Sequence, residues 1–337
     1  NGMCSASMGK AFDMSMMRMA LDMLTQEEIV GLAPADAMML ADEGADEGDS
    51  KEEGKDKKEK PTYDTLDGIP DWFVGPLLSD LTTHEVGHTL GLRHNFKASS
   101  IYSFDKIQSD EIKGKKPFAG SVMDYIPVNM IIKDGKPQGD FGMIDLGPYD
   151  MWAIEYGYTS GDTKDVLKRV ADPELAYGTD EDVGLGDPLA RRYDFAANPL
   201  DYAKSQMELA KWHRGRLLET FVKDGQSWSR ARRGYTITLS MQARSLSMMS
   251  NWIGGAFVNR ARKGDPNATD PIQVVPAEQQ REALRWIIDN TFYDEAYGLS
   301  PELLQKMTVD RWLDVGGFRE GMEEAPWSIH DRVGGMQ

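Results

Sequence analysis

The stretch Thr83-His84-Glu85-Val86-Gly87-His88-Thr89-Leu90-Gly91-Leu92-Arg93-His94 constrains the fold more tightly than any other part of this 337-residue chain. It has the form H-E-x-x-H-x-x-G-x-x-H. For its histidines to act together, the first two must lie on a helix, where residues four apart share one face, one turn above each other. Gly91 has no Cβ, so it can take a positive φ and turn the chain out of that helix. The turn brings His94 back as a third nitrogen. Three imidazoles with one open position form the donor set of a catalytic zinc site, not of a closed structural one. Glu85 sits about 100° around the helix from His84. It is beside such an ion without binding it, placed to accept a proton from an acidified water.

Chance clustering of histidines on a helix is the plain alternative. It fails on number, because three of the five histidines in the chain occupy this one motif. A second element follows 29 residues beyond His94, where Met123 lies in Ser121-Val122-Met123-Asp124-Tyr125 after turn signals at Pro117 and Gly120. An extended zinc motif followed by a Met-containing turn is the metzincin signature. The thioether packs beneath the ligands as a soft, adaptable filler and does not ligate. With 20 methionines in the chain, Met123 by itself would mean little; its place in S-x-M-x-Y carries the argument.

His84 to Phe96 and Ser121 to Tyr125 resemble the metzincin-type domain of large, multidomain bacterial zinc-dependent metalloproteases. Further similar stretches are Gly147 to Asp150, Trp152 to Tyr158, Gly254-Gly255 and Pro276 to Leu284, so the resemblance runs from about Gly75 to the C-terminus. It implies a peptidase holding Zn²⁺ on His84, His88 and His94, with Gly91 and Met123 supporting the site and a peptide or protein as substrate. In astacins and serralysins a Tyr two residues after the Met serves as a mobile ligand and oxyanion partner, and Tyr125 stands at that position. One departure matters. Asn95 follows the third His, unlike the residues typical of astacins, matrixins, adamalysins or serralysins, so their specificity rules do not carry over. The resemblance also implies an extracytoplasmic location, whether periplasmic, outer-membrane-associated or secreted. Nothing in the chain reads as the sheet that metzincin catalytic domains place before the zinc helix. That sheet, and further domains acting as partners, are therefore expected upstream.

Composition sets outer bounds. A formal net charge of -17 argues against nucleic-acid binding, which needs a basic surface to neutralise phosphates. No apolar run approaches the roughly 18 residues of a membrane span. The one cysteine, Cys4, excludes an intramolecular disulfide. The chain opens at Asn1 with neither an initiator Met nor a signal peptide, and reads as a mature or excised piece.

The expected fold is mainly α, one metzincin-like half of an α+β peptidase followed by a helical region. Residues 1–160 form the catalytic region and 161–337 the helical C-terminal region. Within the first lies a run, Asp42 to Lys60, in which 14 of 19 residues are charged. Such a segment cannot bury enough apolar surface to offset ordering, and is expected to be a disordered insertion. Its carboxylates, and the five acidic residues between Asp180 and Asp194, raise the question of Ca²⁺. No regular ligand spacing is visible, so solvated surface is the better reading of both. Helices are predicted at 11–30, from Gly75-Pro76 through the motif, and at Tyr149 to Tyr158 with core-facing aromatics. Others are predicted at Leu200 to Lys223, Ser227 to Arg262, Ala277 to Asn290 and Pro301 to Met307. A short strand is predicted at Ile101 to Phe104, loops from Ile126 to Gly142, and a Gly-rich tail. His213 reads as a structural histidine and His330 stays unassigned. The alternative to an enzyme is a helical binding or assembly module braced by a structural zinc.

Overall fold

The computed structural model describes residues 5–33, 65–131, 138–266, 268–310 and 327–337. The acidic run at 42–60 lies outside the described residues. Helix accounts for about 51% of the structure and strand for 4%, so the mainly α fold is what forms. The helices are α1 (Ala6–Met23), α2 (Gln26–Leu32), α3 (Asp71–Thr89), α4 (Phe104–Ile107), α5 (Pro148–Tyr158) and α6 (Lys164–Leu167). They continue with α7 (Pro199–Arg214), α8 (Ser229–Ser250), α9 (Ala277–Asp289), α10 (Pro301–Lys306) and α11 (Trp327–Met336). Among the described residues, sheet is limited to two antiparallel ribbons. One pairs β1 (Thr65–Leu66) with β2 (Ile69–Pro70), the other β3 (Ala256–Val258) with β4 (Ile272–Val274).

The first ribbon delivers the chain into the motif helix. Asp67 and Gly68 both have positive φ (51° and 74°), the requirement of a tight two-residue hairpin turn. Leu66 pairs with Ile69 across it. Helix α3 then begins at Asp71, several residues before Gly75-Pro76, where the turn residues had placed its start. Apolar anchoring explains the difference. Trp72, Phe73, Val74 and Leu77 are buried, and Trp72 and Phe73 pack on Phe141 at ring separations of 5.7 and 5.1 Å. That burial outweighs the one backbone hydrogen bond that Pro76 forfeits near the helix start. The Asp71 carboxylate accepts from the Trp72 amide at 2.7 Å and occupies one donor of the first turn.

Met16, Met17 and Ala20 of α1, Leu209 and Ala210 of α7 and Met241 of α8 close the same core over α3. The methionine face of α1 is therefore core. Lys10 of α1 is fixed to Asp80 of α3 at 2.7 Å, with both side chains largely buried. A second cluster joins Phe118, Val122, Met123 and Met143 to Phe195, Tyr202, Met248 and Trp252. The Met-containing turn is thus packed on α7 and α8.

Several elements differ from their sequence-based expectations. Instead of a strand at Ile101 to Phe104 there is a 3₁₀ turn over Ala98–Ile101, then α4, whose Ser103 hydroxyl accepts from the Lys106 amide. That serine is an N-cap, a stronger local signal than the strand propensity of Ile101, Tyr102 and Phe104 around it. The helix from Leu200 stops at Arg214 and is followed by a π turn over Leu217–Phe221. The one from Ser227 stops at Ser250; Gly254 (φ 73°) turns the chain into β3. The aromatics of α5 are not core. Tyr156 and Tyr158 are 45% and 64% exposed, and Trp152 stacks on Tyr156 at 5.8 Å along the surface. The Gly-rich tail includes a helix, α11, held by Ile329, which is buried against α1 and its neighbours.

Candidate metal centre

Helix α3 presents Leu77, Leu81, His84 and His88 along one side, with Leu77 and His84 buried. Val86 and Leu90, four apart on another side of the helix, line an open groove with Ile144 and Leu146 and are about half exposed. Gly91 has φ 86°. The Gly91 amide donates to the His88 carbonyl and the Leu92 amide to the Gly87 carbonyl, both at 3.0 Å. This is the Schellman arrangement, in which a glycine just past the last turn satisfies the final carbonyls and redirects the chain.

The redirected chain returns His94. Ring centroids of His84 and His88 are 4.8 Å apart, those of His88 and His94 4.8 Å, and those of His84 and His94 5.4 Å. One ring nitrogen from each comes within 4.8 Å of the others; no other such cluster of His, Cys, Asp or Glu occurs among the described residues. Each ring has its Nδ1 fixed from behind. That of His84 faces the Val122 carbonyl at 2.8 Å, that of His88 the Leu92 carbonyl at 3.0 Å, and that of His94 the Asp180 carboxylate at 2.8 Å. All three partners are acceptors, so each Nδ1 carries the proton and each Nε2 is the lone-pair nitrogen. Burial, with repulsion from His88 and His94, also holds His84 below the usual imidazole range, which keeps it neutral. Three neutral, preoriented imidazoles fit a divalent zinc ion, whose ligand histidines characteristically donate their other N–H to such acceptors.

Met123 is fully buried beneath this cluster. A Cβ built on Gly87 would lie 2.3 Å from the Met123 sulfur, so the second variable position of H-E-x-x-H must be glycine for the thioether to seat. Gly87→Val is expected to destabilise the fold by about 1–3 kcal/mol through overpacking, and to weaken zinc binding with it. Thermal melts and chelator competition check this; a variant matching the parent in both would show that Met123 has room to move.

The turn itself is held from α5. Asp150 takes the Ser121 hydroxyl and, through Oδ2, the amides of Val122 and Gly147 at 2.9 Å each. Because the Val122 carbonyl orients His84, Asp150 reaches a ring of the three-histidine cluster through the turn. Asn95, the departure noted in the sequence, is completely buried. Its amide donates to the Met123 carbonyl at 3.0 Å, its side-chain nitrogen to the Ala176 carbonyl, and its side-chain oxygen accepts from the Gly178 amide. It ties the third histidine to the turn and to the loop carrying Asp180.

Tyr125 lies inside the cluster. Its hydroxyl is 3.0 Å from His94 Nε2 and accepts from the Ser5 amide at 3.1 Å. With the His94 proton on Nδ1, the phenol donates to Nε2 and occupies the lone pair that a bound metal would take in its place. Glu85 is exposed on the neighbouring side of α3.

The chain matches the family described as Met-zincin over residues 67–337. It belongs to that family. No curated protein and no solved structure matches it. The family suggests a zinc metallopeptidase, in keeping with three histidines close enough to share one ion. Among the described residues no helix is long and apolar enough to cross a membrane. Of the five acidic residues between Asp180 and Asp194, where Ca²⁺ was considered, four are engaged by the protein's own cations and His94: Asp180 by His94 and Arg192, Glu181 by Arg93, Asp182 by Arg260 and Asp187 by Lys97. Asp194 is buried and accepts from the Ser99 hydroxyl.

Proposed function

We propose that this Met-zincin hydrolyses peptide bonds with one zinc ion held by His84, His88 and His94. The observation that carries the reading is the outward anchoring of all three Nδ1 atoms, which leaves three Nε2 atoms converging. A bound zinc supplies an acidified water and a Lewis acid for the scissile carbonyl. Glu85 takes the proton from the attacking water and returns it to the departing amine nitrogen. Gly91 and Met123 hold the ligands in place. Closed structural zinc sites use four protein ligands, whereas three converge among the described residues, which favours the enzyme over a zinc-braced assembly module. Metal analysis combined with cleavage of a peptide library, before and after chelation, tests the reading. Stoichiometric zinc and chelator-sensitive cleavage are expected; zinc without cleavage of any library member would favour the module.

The upstream sheet, its substrate-aligning edge and an extracytoplasmic location belong to the same proposal and rest on the family alone.

Tyr125 is assigned the oxyanion. Its hydroxyl, steadied by the Ser5 amide, can donate to the negative charge developing on the carbonyl oxygen. Tyr125→Phe is expected to keep zinc and fold while lowering turnover on the order of 10²-fold, with little change in KM. Cleavage at the parent rate would reduce Tyr125 to packing.

A further inference from the structure

We infer that Asp180 is a positioning residue for the metal, the carboxylate that orients and strengthens the third ligand. This role rests on the metal-centre reading above. His84 and His88 ride on a helix and donate to backbone carbonyls, whereas His94 stands on an irregular loop beyond Gly91. Of the three Nδ1 hydrogen bonds, only that of His94 is accepted by an anion, Asp180 Oδ2 at 2.8 Å. A carboxylate in this place fixes the tautomer and ring plane, and makes the opposite nitrogen a better donor to a metal.

The carboxylate is itself held. Its other oxygen accepts from Arg192 at 2.7 Å. The Arg192 guanidinium lies 4.9 Å from the Phe96 ring centroid and 5.8 Å from that of Tyr125. Phe96 in turn stacks on His94 at 5.0 Å. His94 is therefore braced on its Nδ1 edge by Asp180 and on one face by Phe96. The next acidic residue, Glu181, grips the residue before the ligand through a two-pronged contact with Arg93 at 2.7 and 2.8 Å. Loop 180–181 thus holds residues 93 and 94 side by side, yet only Asp180 touches an imidazole. That difference separates a metal-directed role from general loop packing.

The experiment measures zinc affinity by chelator competition in the parent, Asp180→Asn and Glu181→Gln, together with the Co²⁺ absorption spectrum and the melting temperature of each metal-free protein. The Asp180 side chain is 37% exposed, so Asn fits in its place and the metal-free melt is expected to stay close to that of the parent. Asp180→Asn is expected to weaken zinc about 10- to 100-fold and to change the Co²⁺ ligand-field bands. Glu181→Gln is expected to leave both unchanged. Parental zinc affinity in Asp180→Asn overturns the inference, and so does an equal loss in Glu181→Gln, which would make the loop merely structural. If Asp180→Asn melts low even without metal, the Co²⁺ spectrum at saturating metal decides, because a misplaced third imidazole alters the bands and a parental spectrum rejects the role. A parent that binds no zinc overturns the metal-centre reading itself, whereas a parent that binds zinc without cleaving peptides leaves this inference standing.

Discussion

Replacing any one of His84, His88 or His94 by Ala is expected to remove the zinc and all peptide cleavage. The three positions differ in what else they cost. His84 is 2% exposed and packed between α3 and the Met-containing turn, so His84→Ala opens a cavity as well as losing a donor. Its metal-free melting temperature is expected to fall. His88 and His94 are half-buried, and their Ala variants are expected to melt near the metal-free parent. Two imidazoles on one divalent ion leave an affinity too low to survive dialysis, so about one zinc per chain in the parent should become none. Metal analysis after dialysis, with melts in the presence of a chelator, reads both effects. Stoichiometric zinc in two of the three variants would sink the ligand assignment.

What could be read from the sequence was local. The helical pair and the glycine that turns the chain are fixed by short spacings, which helix geometry converts directly into direction, while Met123, 29 residues past His94, was legible through its S-x-M-x-Y motif. The groups that aim those ligands could not be read this way. Asp180 meets His94 across 86 positions, and Asp150 meets Val122 across 28. In the sequence Asp180-Glu181-Asp182 is only a cluster of negative charge, compatible with calcium or with solvent. Three of the partners that decide its role, His94, Arg93 and Arg260, come from distant segments, and only Arg192 is near in sequence. Gly87 was hidden for a related reason, since it occupies a variable position of the motif and its need to be glycine comes from Met123.

The errors in the fold have the same origin. Gly75-Pro76 looks like a helix start because propensity is judged locally, yet Trp72 and Phe73 bury against Phe141, far along the chain, and carry the helix back to Asp71. The aromatics of α5 looked like core by composition. They stack mainly on one another, with Tyr158 donating to the Leu90 carbonyl at the end of the motif helix.

Glu85→Gln separates catalysis from coordination. The side chain projects from the helix that carries His84 and His88 but is not one of the three clustered donors, and it is exposed. An isosteric amide there should leave zinc content, zinc affinity and melting temperature at parental values. The amide cannot take a proton from water at neutral pH, so the barrier to attack rises while substrate binding is untouched. Loss of a general base typically costs about 10²–10⁴-fold in rate, or roughly 3–5 kcal/mol of transition-state stabilisation, so kcat should fall by that factor at nearly constant KM. Single-turnover cleavage of the best library peptide, with zinc quantified in the same samples, measures it. If the variant keeps its zinc and also keeps the parental rate, Glu85 is not the base and the proton must be accepted by a group outside the motif helix. If it loses zinc as well, Glu85 supports the ligands in a way its exposure does not suggest, and a fall in rate could no longer be assigned to proton transfer.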